Sequence, residues 1–418
     1  HRLHEFVVKR YLFYFIGFVL LSCEKDRDYD TVTGLESTGL PVAIISTESS
    51  VDDKENYING GIKIIGGDNF RDAGQKPIEI RGRGNSTWWL GEVWGKKPYQ
   101  IKFQNKTSML NMPADRRWVF LSELSDKTFI RNKIARDLGA LSVLDFTPKL
   151  EFVELVLNDE YQGVYLMGQK VEVAENRVNL PEEGYLIEID QAYRTDDDDV
   201  YFRSNVFPAI NEENVFNIKF PDTEEGADAY ELIENYIHRF EAVLFSANFD
   251  SPTEGYAAYI DVDQMVDWYV IQEIAKSVDA RWYSSIFFTY VPGGKIKMGP
   301  LWDFDLSFGN VDYADSEFTD GFWIRQNPWI NRLFKDPVFR TKVRNRFDYF
   351  NRQLPTILEK IDGYSLQLEV AQEHNYDEWE TLGEYVWPNP VWYDTYQEEV
   401  NHLKGWITDR MQWLNDNL

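Results

Sequence analysis

Cysteine is almost missing from this chain. Cys23 is the sole one in 418 residues, so no internal disulfide can form. Histidine is scarce as well: five residues, scattered, none with the spacing a zinc site uses. There is no Gly-x-Ser-x-Gly elbow, which argues against a serine hydrolase of that architecture. Positive charge is in deficit, with 43 Lys and Arg against 70 Asp and Glu and a formal net charge of -27. A general nucleic-acid binder needs a basic surface and is excluded on that ground, although an acidic chain can still hold a local basic pocket for phosphates. Long apolar runs are lacking too. The stretch from Tyr11 to Leu21 is shorter than the roughly 20 residues a membrane-spanning helix requires. No internal repeat is visible.

What is abundant is apolar and aromatic surface. Hydrophobic residues make up 43% and aromatics 16%, with 14 Trp and 24 Tyr, enough for a substantial core in one large domain or two ordinary ones. At the N-terminus, Arg2, Lys9 and Arg10 precede the Tyr11–Leu21 run, and Leu20-Leu21-Ser22-Cys23 follows. A small residue before a lone Cys at the end of an apolar run is the pattern of a bacterial lipoprotein processing site. Residues 1–23 are therefore expected to be a signal peptide, with lipidation at Cys23. The polar segment 24–40 reads as a flexible tether. The protein would sit at the cell envelope, on the outer membrane or cell surface, touching the membrane through its lipid anchor only.

From residue 41 the pattern is strand-rich. Period-two or β-branched runs occur at 41–47, 57–66, 78–81, 97–103, 151–157, 163–167 and 184–190, with one helical period at 129–141. After about residue 225 helical periods dominate, at 227–244, 262–276, 337–361 and 398–418, with a strand pair at 285–291 and 295–298. This predicts a strand-rich lobe over 41–225 and a helix-rich lobe over 226–418. The run Asp196–Asp199 reads as a solvated loop.

Three stretches carry chemistry. In Gly299-Pro300-Leu301-Trp302-Asp303-Phe304-Asp305, two carboxylates stand two residues apart. In an extended segment both would face one side, with Trp302 and Phe304 on the other. They fit either a hard cation such as Mg²⁺ or a capped strand end. In Arg81-Gly82-Arg83-Gly84-Asn85-Ser86, glycines and donors after a strand suit either a phosphate cradle or a hairpin. Lys102, on the next strand, is placed to reach phosphates or simply to face solvent. In Ser277-Val278-Asp279-Ala280-Arg281-Trp282-Tyr283-Ser284-Ser285, an Asp follows a long helix and precedes a strand, the place of a kinase catalytic loop. Asp279 and Ser284 have the spacing of that loop's proton acceptor and metal-holding residue.

Gly82-Arg83-Gly84-Asn85-Ser86-Thr87-Trp88, Lys96-Lys97-Pro98-Tyr99-Gln100-Ile101-Lys102, Asp126-Lys127-Thr128-Phe129-Ile130-Arg131-Asn132, Gly163-Val164-Tyr165-Leu166 and Gly299–Asp305 occur in this order. Together they resemble the CotH spore-coat protein kinase family over roughly residues 40 to 345. The resemblance implies an α+β, atypical protein-kinase-like fold with a strand-rich N-lobe and a helical C-lobe. It implies ATP with Mg²⁺ or Mn²⁺, and transfer of the γ-phosphate to Ser or Thr hydroxyls of surface or secreted proteins. Carried over, Asp279 is the catalytic base and Lys102 the nucleotide-phosphate lysine. Arg83, Gly84, Asn85 and Ser86 form the phosphate loop. Asp303 holds metal, with Asp305 as a second metal or structural carboxylate.

Two departures stand out. Gln169 occupies the place of the lysine's Glu partner, and Ser284 or Ser285 that of a metal-holding Asn. They motivate an alternative, a pseudokinase that binds ligand without transfer. A third reading, from another class, is a carbohydrate-binding or glycan-cleaving surface protein. There Trp88, Trp89, Trp94, Trp323 and Trp329 would stack on sugars, and Asp303 and Asp305 would be paired acids.

Overall fold

The computed structural model describes residues 29, 31–206 and 213–418. The expected signal segment and Cys23 lie outside the described residues. The fold is mixed α+β, as expected, but the chain does not divide at residue 225. One compact unit takes the chain up to Ser122, then Glu151–Met167 and Leu366–Glu380; the other takes Glu123–Leu150, Gly168–Ser365 and Thr381–Leu418. The physical reason lies in the sheets. The strands after residue 150 close a barrel in the first unit, while 168–225 supplies the middle strands of the sheet in the second.

The first unit is a closed barrel of β1 (Val42–Thr47), β2 (Ile58–Ile65), β3 (Ala73–Gly82), β4 (Tyr99–Met109), β5 (Met112–Leu121), β6 (Leu150–Leu157) and β7 (Glu160–Gln169), in the spatial order β1-β2-β3-β4-β5-β7-β6. Parallel pairing of β1 with β6 closes it. Alternation explains the filling. Each strand sends an i, i+2 pair to one core: Ala43 and Ile45, Ile62 and Ile64, Ile78 and Ile80, Ile101 and Phe103, and likewise Trp118 and Phe120, Val153 and Leu155, Tyr165 and Met167. Asn158 and Asp159, both at positive φ, make the tight turn between β6 and β7.

The stretch expected to be a free tether is packed in its described part. Tyr29 and Leu40 are buried. Tyr29 Oη donates to both carboxylate oxygens of Glu154 at 2.8 Å, and Thr38 Oγ1 donates to Glu154 Oε2 at 2.6 Å. Tyr161 Oη adds a third donor at 2.6 Å. A fully buried carboxylate needs such partners, and the polar-looking segment 29–40 supplies two of them.

The second unit is built on a five-stranded antiparallel sheet in the order β12-β11-β8-β10-β9, with β8 at Tyr185–Gln191, β9 at Tyr201–Phe202, β10 at Asn214–Phe220, β11 at Ile286–Tyr290 and β12 at Lys297–Met298. The helix Val262–Ala275 is buried on nearly every side, so its polar residues Asp267 and Glu273 are enclosed with its apolar ones and need partners. Two ion pairs fix its surroundings: Glu273 with Arg410, fully buried, at 2.7 Å, and Asp267 with the partly exposed Arg346. The single helical period at 337–361 is two helices, Pro337–Arg352 and Leu354–Gln367. Pro355 cannot continue a helix but suits a first turn, so it starts the second one.

Candidate active site

The end of the buried helix sets the site. Its N-terminus is capped by Asp261, which accepts from the Gln264 amide at 3.1 Å, and it stops at Lys276 in the left-handed region. The Lys276 ammonium then ties down the chain beyond residue 310, donating to the carbonyls of Asp315, Phe318 and Asp320 at 2.6–2.8 Å. The Ala275 carbonyl accepts from the Phe308 amide at 2.7 Å. One helix terminus thus anchors both the Asp279 turn and the segment that carries Asp303 and Asp305.

Asp279 opens a 3₁₀ turn, Asp279–Arg281. Its carboxylate is half-buried and accepts from Ser284 Oγ at 3.2 Å. Burial, and next the charge of Asp303, push its pKa up to about 6; Arg194 and the Ser284 hydroxyl pull the other way. Trp323 Nε1 holds the carbonyl just before it, that of Val278, at 3.0 Å.

Residues 301–304 are not the expected strand. Asp303 has φ 68 and is exposed, whereas Asp305 is buried, so the two carboxylates do not share the face of an extended segment. They are nonetheless coupled. Burial, then Asp303, then Asp279 and Asp126, hold the Asp305 carboxyl well above the usual range. The segment is clamped from the helix Arg131–Ala140. Asn132 Oδ1 accepts the Phe304 amide at 2.9 Å, and Arg131 Nε donates to the Ser307 carbonyl at 3.1 Å. Asp126 holds Arg131 in turn, by an ion pair at 2.5 Å. Asn310 Nδ2 adds a bond to the Asp305 carbonyl at 2.9 Å.

The hydroxyl beside Asp303 is that of Ser285, whose Oγ donates to Asp303 Oδ2 at 3.2 Å; Ser284 is committed to Asp279. The donor set around Asp303 and Asp305 is all oxygen, which suits a hard divalent cation. Among the described residues, no three His, Cys, Asp or Glu side chains converge as a ready-made metal cage. A cation held by two carboxylates, phosphate oxygens and water does not need one.

Comparison with protein families matches residues 79–414, most of the chain, to the CotH kinase protein family. The chain belongs to that family. No curated protein matches it. All five motifs quoted above lie within the CotH match, which extends past residue 345 to the last helix, Tyr396–Asn417.

The CotH motifs fall in both units. Asp279, Ser284, Asp303, Asp305 and Gln169 belong to the second. Gln169 is buried; its side chain accepts from the Lys149 amide at 2.9 Å and donates to the Asn176 carbonyl at 3.2 Å. Lys102 and the Arg83–Ser86 loop belong to the first. The ion-pair partner of Lys102 there is Glu79, directly across on β3, at 2.9 Å. In the loop, Gly84 has φ 84, and Ser86 starts a helix, Ser86–Trp94. A glycine fits that backbone because it carries no Cβ.

Sequence reasoning missed four charged residues on or beside the sheet: Glu188, Asp190, Arg194 and Lys219. Arg194 Nε lies 3.5 Å from Asp190 Oδ1 and also feels Asp279 and Asp303. Glu188 is raised by burial and by Asp190, and feels Asp303 as well. The signal available was Glu188-Ile189-Asp190, carboxylates at i and i+2 in a strand. Of the five tryptophans named for a sugar platform, two are buried and Trp89 is exposed. Trp88 and Trp329 are core residues, and Trp323 is bonded to the Val278 carbonyl.

Proposed function

We propose that this protein is an ATP-dependent kinase of the CotH family that phosphorylates Ser or Thr hydroxyls of surface or secreted proteins. The observation that carries this reading is Asp279. It is a half-buried carboxylate tuned to about 6, fixed by Ser284, and electrostatically coupled to Asp303 and Asp305. A base with that pKa is mostly ionised near neutral pH yet basic enough to take a proton. Asp279 orients the acceptor hydroxyl and receives its proton as the oxygen attacks the γ-phosphorus. The bond to the β-bridging oxygen breaks and ADP leaves. Asp303 and Asp305 would hold a Mg²⁺ or Mn²⁺ ion, which when bound neutralises phosphate oxygens. Arg194 offsets the negative charge around Asp279. Lys102 and the Arg83–Ser86 loop, at a helix N-terminus, are the phosphate contacts that the family resemblance supplies. The two-lobed kinase layout, and lipid attachment at Cys23 with placement at the cell envelope, belong to the same proposal and rest on sequence.

A thermal-shift panel of nucleotides with and without Mg²⁺ or Mn²⁺ tests it. A ligand at a hundredfold excess over its Kd stabilises by roughly 2.7 kcal/mol. The stabilisation should require metal and vanish in Asp303→Ala. An unchanged melting temperature with millimolar ATP and metal contradicts the reading. Metal-dependent ATP binding without any transfer points to the pseudokinase, for which Gln169 in place of Glu and Ser284 in place of Asn are the motives.

A further inference from the structure

The second unit carries a lysine whose setting suits an anion. Glu188 on β8 lies directly opposite Asn217 on β10, and residues so paired share a face of the sheet. Asp190, two residues along, shares it too. Asn217 Nδ2 donates to Asp199 Oδ2 at 2.8 Å, and Lys219 Nζ donates to the same carboxylate at 3.2 and 3.4 Å. At the other end of this strip, Arg194 pairs with Asp190, and Ser285, next to β11, bonds Asp303. A polar strip therefore runs from Lys219 through Asp199, Asn217 and Glu188 to Asp190 and Arg194, and both Glu188 and Arg194 feel the charge of Asp303.

The strip has one functional peculiarity. A nucleotide brings several negative charges, and the acids here would repel it unless cations stand among them. Lys219 is positioned by Asp199 but not enclosed: a third of its side chain remains exposed. An ammonium has three donors, so orientation by one carboxylate leaves capacity for phosphate oxygens. Burial works against its charge, yet Glu188 and Asp199 hold its pKa above the usual lysine value, so it stays charged. A lysine oriented by a carboxylate is the arrangement that grips phosphates in kinase sites.

We propose that Lys219, oriented by Asp199, binds the phosphate chain of the nucleotide at the Asp279–Asp303 site, with Arg194, at the Asp190 end of the strip, as a second cation. This rests on the kinase reading above. It gives Asp199, the last acid of the Asp196–Asp199 run, a positioning role.

Lysine acylation of the full chain, read by mass spectrometry, tests it without any substitution. With saturating ATP and Mn²⁺, modification of Lys219 should fall about tenfold, as expected for a site more than nine-tenths occupied. Lys342, which pairs with Asp263 at 2.7 Å on a surface helix, should react as before. In calorimetric titration, Lys219→Met should weaken ATP·Mn²⁺ binding about tenfold or more, and Asp199→Asn by less. Circular dichroism checks that each variant is folded; if Lys219→Met is not, the acylation result on the unaltered protein decides. ATP binding by the wild type with Lys219 equally reactive in both states overturns this inference and leaves the kinase reading standing. No heat of ATP binding by the wild type, with metal present, overturns both.

Discussion

Asn132 Oδ1 accepts the backbone amide of Phe304 at 2.9 Å, between the two acids Asp303 and Asp305. The other end of the same side chain donates to the carboxylate of Glu123 at 3.0 and 3.2 Å. The Asp126–Asn132 motif therefore helps to set the backbone that presents both carboxylates. Asn132→Leu strips partners from a buried amide and a buried carboxylate, at a cost of about 1–3 kcal/mol. Chemical denaturation should show that loss, and the metal-dependent ATP stabilisation should weaken with it. A variant with wild-type stability and wild-type ATP response would remove Asn132 from this role.

In the barrel unit the comparable device is Glu154. Three hydroxyls, from Tyr29, Thr38 and Tyr161, converge on its fully buried carboxylate. Glu154→Leu leaves all three without their acceptor, and each such bond to a charged group is worth about 1.5–3 kcal/mol. A fall in melting temperature of several degrees is expected. Tyr29→Phe should reproduce part of it, and a neutral Tyr29→Phe would return the 29–40 segment to the role of a loose tether.

Two histidines should titrate in opposite directions. Burial, and then Arg131, lower the pKa of His402 to about 4; the Glu154 carboxylate raises that of His374. For His402 the unfolded chain takes up a proton near its ordinary value of about 6.5 and the folded chain does not. Stability therefore falls as pH drops from that value toward about 4. For His374 the sign reverses: its contribution is present below the unfolded pKa and is lost as pH rises through the folded one. NMR of the imidazole protons at about pH 5 should find His374 charged and His402 neutral. His402→Leu should lose less stability than wild type on acidification. A charged His402 at that pH contradicts the burial argument.

The pairing of Lys102 with Glu79 is partly exposed and lies across two strands. Such pairs contribute roughly 0.2–1 kcal/mol. Lys102→Met should hardly change the melting temperature. If Lys102 also contacts nucleotide, the same variant weakens ATP binding, which calorimetry separates from stability. A large loss of stability would assign Lys102 to the fold alone.

Much of the fold was legible because strand period and helix period survive burial on one side. The barrel strands alternate, and their inward pairs are visible in the sequence as Ile62 and Ile64 or Ile78 and Ile80. The strand Met112–Leu121 was not foreseen, because Asp115, Arg116 and Arg117 break its apolar pattern. Nor was Asn214–Phe220, an interior strand of its sheet in which Asn214, Asn217 and Lys219 interrupt the apolar pattern. The discontinuous division into units was illegible because it depends on which distant strands pair, not on local composition. At the candidate site, Asp279 and Asp303 stand out in the sequence because an acid after a long helix and a spaced pair of acids are local signals. Their coupling is a fact of the fold. Lys219 was missed because only cross-strand register sets it in reach of Glu188 and Asp199, and Arg194 because it sits in a short turn after the strand, paired back to Asp190. The expected common face of Asp303 and Asp305 failed because Asp303 adopts a left-handed backbone instead of an extended one.

The central claim is that Asp279 accepts the proton of the attacking hydroxyl, and Asp279→Asn tests it most directly. The measurement is label transfer from γ-labelled ATP, with Mg²⁺ or Mn²⁺, to the protein itself and to a Ser/Thr-rich acceptor. Asn keeps the shape, still accepts from Ser284 and removes the charge. Transfer should fall by a factor on the order of 10² or more while metal-dependent ATP binding stays nearly intact. Wild-type transfer that survives Asp279→Asn would contradict the account.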